Sequence, residues 1–143
     1  MIYLDNCSTT KPREEVIRVI SESMVNYFGN PSSLHRLGLE AEKKLKEARG
    51  YIASFLNVDP SEITFTSGGT ESNNLAIQSV VNKSMRRGKH IITTKIEHPS
   101  VLNIMKNYEK QGFDVTYLNV DRYSLISLEE LKKEIREDTI LVA

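Results

Sequence analysis

The 143 residues carry 19 lysines and arginines against 19 aspartates and glutamates, a formal net charge of zero. That balance removes the electrostatic case for nucleic acid or an anionic membrane surface as partner. No apolar run approaches the ~20 residues that span a bilayer, and the N-terminus, Met1-Ile-Tyr-Leu-Asp-Asn6, lacks the basic n-region of a secretory signal. The length suits one domain with a real core. One cysteine, Cys7, cannot pair within the chain, so a reducing, cytoplasmic setting is expected.

In chain order, Ile2-Tyr3-Leu4 reads as a short strand or extended arm, and residues 5–10 as irregular. Pro12 suits the first turn of a helix, along which Val16, Val19, Ile20, Met24 and Tyr27 recur at helical spacing. Gly29-Asn30-Pro31 ends it. Ser32 or Ser33 is the expected cap of a long amphipathic helix. Its apolar stripe runs Leu34, Leu37, Ala41, Leu45, Ala48, Ile52, Phe55, and Glu40 and Lys44 stand at pairing distance on its solvated face. Asp59-Pro60-Ser61 turns into a predicted strand at Ile63–Thr66. A helix follows through Leu75–Val81, with Gly88 as its expected C-terminal cap. His90–Thr94 predicts a second strand. Pro99 opens the next helix and Gly112 ends it. Phe113, Val115 and Tyr117 alternate as a third strand. Ser127 and Glu130 have capping-box spacing, and Thr139–Ala143 begins a fourth strand.

Strand and helix therefore alternate, which predicts an α/β domain with a mostly parallel sheet, right-handed crossovers and helices on both faces. An apolar strand is a strange place for a chain to stop, so the sequence reads as truncated, or as one half of a split protein.

Two places carry chemistry. The first is Ser67-Gly68-Gly69-Thr70, between the predicted Ile63 strand and the helix after it. A helix that starts at a glycine turn presents unpaired N–H groups and its positive dipole end, which suits a phosphate. A plain strand–turn–helix connector explains the same residues equally well. The run is neither a P-loop nor G-x-G-x-x-G. The second is His98, just after the His90–Thr94 strand, where ligands of open α/β sheets sit. Its imidazole can stack on a flat cofactor or move protons near neutral pH; as a lone histidine it can equally be an exposed helix cap. His35 and His90 have no ligand spacing, so no metal is expected. Cys7 reads as a structural thiol.

Taken together, Tyr3-Leu-Asp-Asn6, Thr9-Thr10, Phe28-Gly-Asn-Pro-Ser32, His35-Arg36, Thr66-Ser-Gly-Gly-Thr-Glu-Ser-Asn73 and Glu97-His98 resemble the N-terminal part of NifS/IscS-type cysteine desulfurases. These are class V aminotransferase-fold enzymes that use pyridoxal 5′-phosphate (PLP). The match is in order and covers essentially the whole chain. It implies that residues 1–15 form an arm near the active-site entrance and residues 16–143 part of the large PLP-binding domain of fold type I. It implies that Gly69 and Thr70 hold the PLP phosphate, and that His98 stacks on the pyridine ring and assists proton transfer. Asn6 and Asn30 would line the substrate entrance. Cys7-Ser8 departs from the family pattern, which commonly has alanine before Thr-Thr. The lysine that holds PLP and the sulfur-accepting cysteine are implied beyond Ala143, so these residues alone are expected to be inactive. The resemblance further implies L-cysteine as substrate, a homodimer, and an iron–sulfur scaffold or tRNA-thiolation protein as sulfur acceptor. A selenocysteine lyase or small-amino-acid aminotransferase of the same fold, or a non-catalytic interaction module, are the competing readings.

Overall fold

The apolar residues at 16, 19, 20 and 24 fold as helix α1 (Glu14–Asn26) of a computed structural model that describes residues 2–143. Pro12 lies before this helix and Arg13 occupies the cap position, so the helix starts two residues beyond the proline. The chain divides into two compact units, one ending at Thr64 and the other spanning Phe65–Ala143. In the first unit, residues 2–4 are exposed and form no strand, because no strand among the described residues pairs with them. The arm instead closes a turn in which Ser8 N–H donates to the Asp5 carbonyl and Ser8 Oγ to the Asp5 carboxylate. Helix α1 buries none of its residues.

Helix α2 (Arg36–Leu56) buries only Gly38, Ala41 and Ala53. Its cap is neither Ser32 nor Ser33. His35 Nδ1 accepts from Gly38 N–H at 3.3 Å, a longer side chain doing what a serine was expected to do. Glu40 pairs backwards with Arg36 (3.1 Å), and Lys44 takes Glu47 (2.8 Å), so the expected Glu40–Lys44 pair does not form. Asn57 ends the helix in the left-handed region (φ 55°). Asp59 then caps a single 3-10 turn (Pro60–Glu62), with Glu62 reaching back to the Asp59 N–H.

Ile63–Thr66 form no ladder. The β-branched run satisfies strand propensity, but a strand also needs a neighbour to pair with, and no strand among the described residues runs beside it. Helix α3 (Gly69–Ser84) follows. Gly88 does not cap it; the helix has already ended at Ser84. A Cβ at Gly88 would strike the backbone of Asp138, so this glycine is there for a close approach between two chain segments. Strand β1 (His90–Thr94), helix α4 (Pro99–Lys110), strand β2 (Asp114–Leu118), helix α5 (Leu128–Glu134) and strand β3 (Thr139–Val142) complete the unit. Gly112, with φ 84°, makes the left-handed exit from α4 that its place predicted.

The sheet is parallel throughout, in the order β2-β1-β3. The chain steps outward from β1 to β2, then crosses back over β1 to β3. Right-handed crossovers in opposite directions place α4 and α5 on opposite faces of the sheet. Helices α3 and α4 share one face. There Ile77, Val81, Ile104, Met105 and Tyr108 close over Ile91, with Val115, Tyr117 and Leu141 packed against them. This is the core of the unit, and it fixes α3 and α4 side by side with their N-termini at the carboxyl edge of the strands.

At the opposite edge, His90 is fully buried. Its Nδ1 lies 2.8 Å from Thr139 Oγ1 on β3 and its Nε2 lies 2.9 Å from Thr116 Oγ1 on β2, so one ring staples all three strands. Burial holds its pKa below the ordinary value, helped by the Arg136 guanidinium and partly offset by Asp114, Asp138 and Glu134. Above the unfolded value of roughly 6.5 both states are neutral and the staple contributes fully. As pH falls, the unfolded chain takes up the proton first, so stability is lost on the way down through the lowered folded pKa. Thermal stability is therefore expected to fall from about pH 7.5 to about pH 5, with a shallower slope for His90→Asn. Identical slopes for the two proteins would show that the ring does not carry this dependence.

Candidate active site

The turn before α3 is organised by its side chains. Glu71 reaches back to accept from both the N–H and the Oγ–H of Ser67, each at 2.6 Å. The Ser67 hydroxyl, then its N–H, hold the Glu71 carboxyl below its ordinary pKa. Thr66 Oγ1 donates to the Gly68 carbonyl at 3.2 Å and lies 2.6 Å from Ser72 Oγ. The chain is thus tied on both sides of Gly68-Gly69. Gly68 itself is extended (φ 164°), a conformation open to any residue, so the glycine is not there to make the turn possible. Its use is space: nothing lies within 4 Å of where a Cβ would stand at Gly68 or at Gly69.

That opening exposes the first N–H groups of α3, which have no preceding helical carbonyl to bond. Thr70 is exposed beside them, and no protein group bonds its hydroxyl among the described residues. Open backbone donors, a hydroxyl and a helix N-terminus are the donor set of a phosphate site. The residues present fit such a group.

His98 is exposed and caps α4, accepting at Nδ1 from Ser100 N–H at 3.1 Å. The cap position is therefore real, and it leaves the face of the ring and Nε2 open. The loop that carries it is held to the end of β1, where Thr94 Oγ1 donates to the Glu97 carboxylate at 2.9 Å. Lys95 N–H donates to the Leu118 carbonyl and Lys95 Nζ to Asn119 Oδ1.

The two places meet through residues that the sequence reading passed over. Asn73 Nδ2, on α3, donates to Ser100 Oγ at 2.8 Å, and Ser100 Oγ lies 2.8 Å from His98 Nδ1. Asn74 Nδ2 donates to the Thr70 carbonyl at 2.8 Å and to the Ser100 carbonyl at 3.3 Å. Thr70 and His98 are thus parts of one hydrogen-bonded assembly, and Gly69 precedes Thr70 in the chain. Asn73 and Asn74 lie three and four residues beyond Thr70, on one helix face, and Ser100 is the second residue after His98; those spacings were the available signal. Asn6 and Asn30 lie in the other unit. Asn6 Nδ2 donates to the Tyr3 carbonyl at 3.4 Å, and Asn30 Oδ1 accepts from Ser32 N–H at 2.9 Å, which shapes the Gly29–Ser33 loop. Cys7 is exposed and unpaired. Among the described residues no helix is long and apolar enough to cross a membrane.

Comparison with known proteins agrees with the resemblance. The profile of the aminotransferase class-V family matches residues 2–143. The cysteine desulfurase IscS of Neisseria meningitidis serogroup A is 50% identical over 143 residues, which covers 99% of this chain and 35% of that protein. Among solved structures, a NifS-like protein superposes with a TM-score of 0.90 at 42% identity, covering 96% of this chain and 38% of that one. SspA, solved in complex with cysteine, superposes with a TM-score of 0.88 at 39% identity, covering 98% and 40%. The chain thus spans little more than a third of the length of the curated relative it matches.

Proposed function

The chain belongs to the aminotransferase class-V family, and on that premise we propose that it is the N-terminal, PLP-phosphate-binding part of a cysteine desulfurase. One observation carries the reading: the open N-terminus of α3 and the exposed ring of His98 are joined through Asn73 and Ser100. A phosphate and a flat ring on one ligand need such a pair of features at a fixed separation. The N–H groups at Gly69 and Thr70 and the Thr70 hydroxyl bind the phosphate. His98 lies against the ring and holds a proton at its imidazole. PLP, when bound, supplies the electron sink for bonds at the α-carbon of the amino acid.

In the whole protein, L-cysteine gives L-alanine, and its sulfur passes to an enzyme cysteine thiol as a persulfide. An iron–sulfur scaffold or a tRNA-thiolation protein then accepts it. A cytoplasmic homodimer, an entrance lined by Asn6 and Asn30, and an arm of residues 1–15 leading into a large domain from residue 16 belong to the same reading. The cysteine found with SspA supports the substrate.

Full-length protein given PLP, L-cysteine and a thiol reductant to discharge the persulfide is expected to show the cofactor's absorbance and to form one alanine per sulfide released. Release from selenocysteine alone would make it a lyase of that substrate. Amino transfer to a keto acid without sulfur release would make it an aminotransferase. Thr70→Val is expected to weaken PLP binding by about 1–3 kcal/mol, the loss of a hydrogen bond to a charged group. Unchanged affinity would remove Thr70 from the phosphate site.

A further inference from the structure

We propose that Ser100 and Asn73 are positioning residues that hold His98 with its proton on Nε2. The inference rests on the reading that His98 faces the cofactor. A backbone N–H can only donate, and the N–H of Ser100 points at His98 Nδ1 from 3.1 Å. Nδ1 must therefore offer its lone pair, and in the neutral ring the proton goes to Nε2. Ser100 Oγ stands 2.8 Å from the same nitrogen. Its hydroxyl hydrogen points there because its oxygen already accepts from Asn73 Nδ2 at 2.8 Å. Two donors thus converge on Nδ1, one fixed by the helix backbone and one oriented from α3.

This arrangement has a chemical consequence. The side of the imidazole that would act as a base is committed to the protein, and Ser100 is buried. The open side, Nε2–H, is a donor. Neutral His98 therefore meets a ring or substrate as a hydrogen-bond donor. Asn74, bonded to both the Thr70 and Ser100 carbonyls, keeps that donor in register with the phosphate cradle.

The test is nitrogen NMR on full-length protein labelled with 15N-histidine, with His98 assigned by its loss in His98→Gln. Nδ1 is expected in the range of an unprotonated imidazole nitrogen and Nε2 in the protonated range. Ser100→Ala keeps the backbone donor but removes the hydroxyl, and is expected to raise the Nδ1–H form about 2–10-fold, the loss of one neutral hydrogen bond. Asn73→Ala is expected to act in the same direction. Turnover is expected to fall in Ser100→Ala in proportion to the Nε2–H form that is lost, and to return in Ser100→Thr. A proton found on Nδ1 in the wild type, or shifts unmoved in both variants, overturns the proposal. So does a majority Nδ1–H form in Ser100→Ala with full turnover. A wild-type protein that forms no alanine from L-cysteine in the presence of a thiol reductant overturns the desulfurase reading, and the nitrogen shifts still decide the role of Ser100.

Discussion

Replacing His98 by alanine in the full-length protein is expected to cut turnover about 10²–10⁴-fold while PLP stays bound. The proposed phosphate cradle consists of the turn and first residues of α3, and His98 contributes no atom to it. What the substitution removes is the ring face, the Nε2 proton and the cap on α4. These losses can be separated. His98→Asn keeps a capping oxygen and restores the helix end, worth about 1 kcal/mol, without restoring the ring. His98→Phe restores a flat face without a proton. Turnover is expected to stay low in both. A fully active His98→Phe protein would reduce His98 to a packing residue.

The second large effect concerns stability. Met105→Ala is expected to destabilise the protein by about 2–5 kcal/mol, read from the midpoint of urea unfolding. Met105 is 0% exposed and lies among Ile77, Val81, Ile91, Ile104 and Tyr108. It belongs to α4, which His98 caps, and it packs in the cluster that joins α4 to α3. Removing its side chain leaves a cavity where those two helices meet over β1. Against a total stability of roughly 5–15 kcal/mol this is a large share. A loss below about 1 kcal/mol would mean that the helices collapse onto the gap and that the site's geometry does not depend on this packing.

Much of this was legible from local pattern. His90–Thr94 and Thr139–Val142 fold as strands where β-branched residues cluster, and Phe113, Val115 and Tyr117 alternate along the strand Asp114–Leu118. The α/β alternation gave the parallel sheet. The failures share a cause. Ile63–Thr66 has strand composition but no partner, and pairing is a tertiary fact. His35 caps α2 in place of the serines because its ring reaches the Gly38 N–H, which composition does not reveal. At the site, Gly69, Thr70 and His98 stood out because their residue types and places in the pattern carry chemistry. Asn73 and Ser100 did not, because their contact spans 27 residues and exists only once α3 and α4 pack together.

The central claim is that one ligand spans the α3 N-terminus and the His98 ring. A crystal structure of the full-length protein with PLP tests it most directly. The account predicts a phosphate oxygen at about 2.7–3.2 Å from the backbone nitrogen of Gly69 or Thr70 and from Thr70 Oγ1, with the pyridine ring stacked on His98. A phosphate seated elsewhere, or a pyridine ring out of reach of His98, would contradict it.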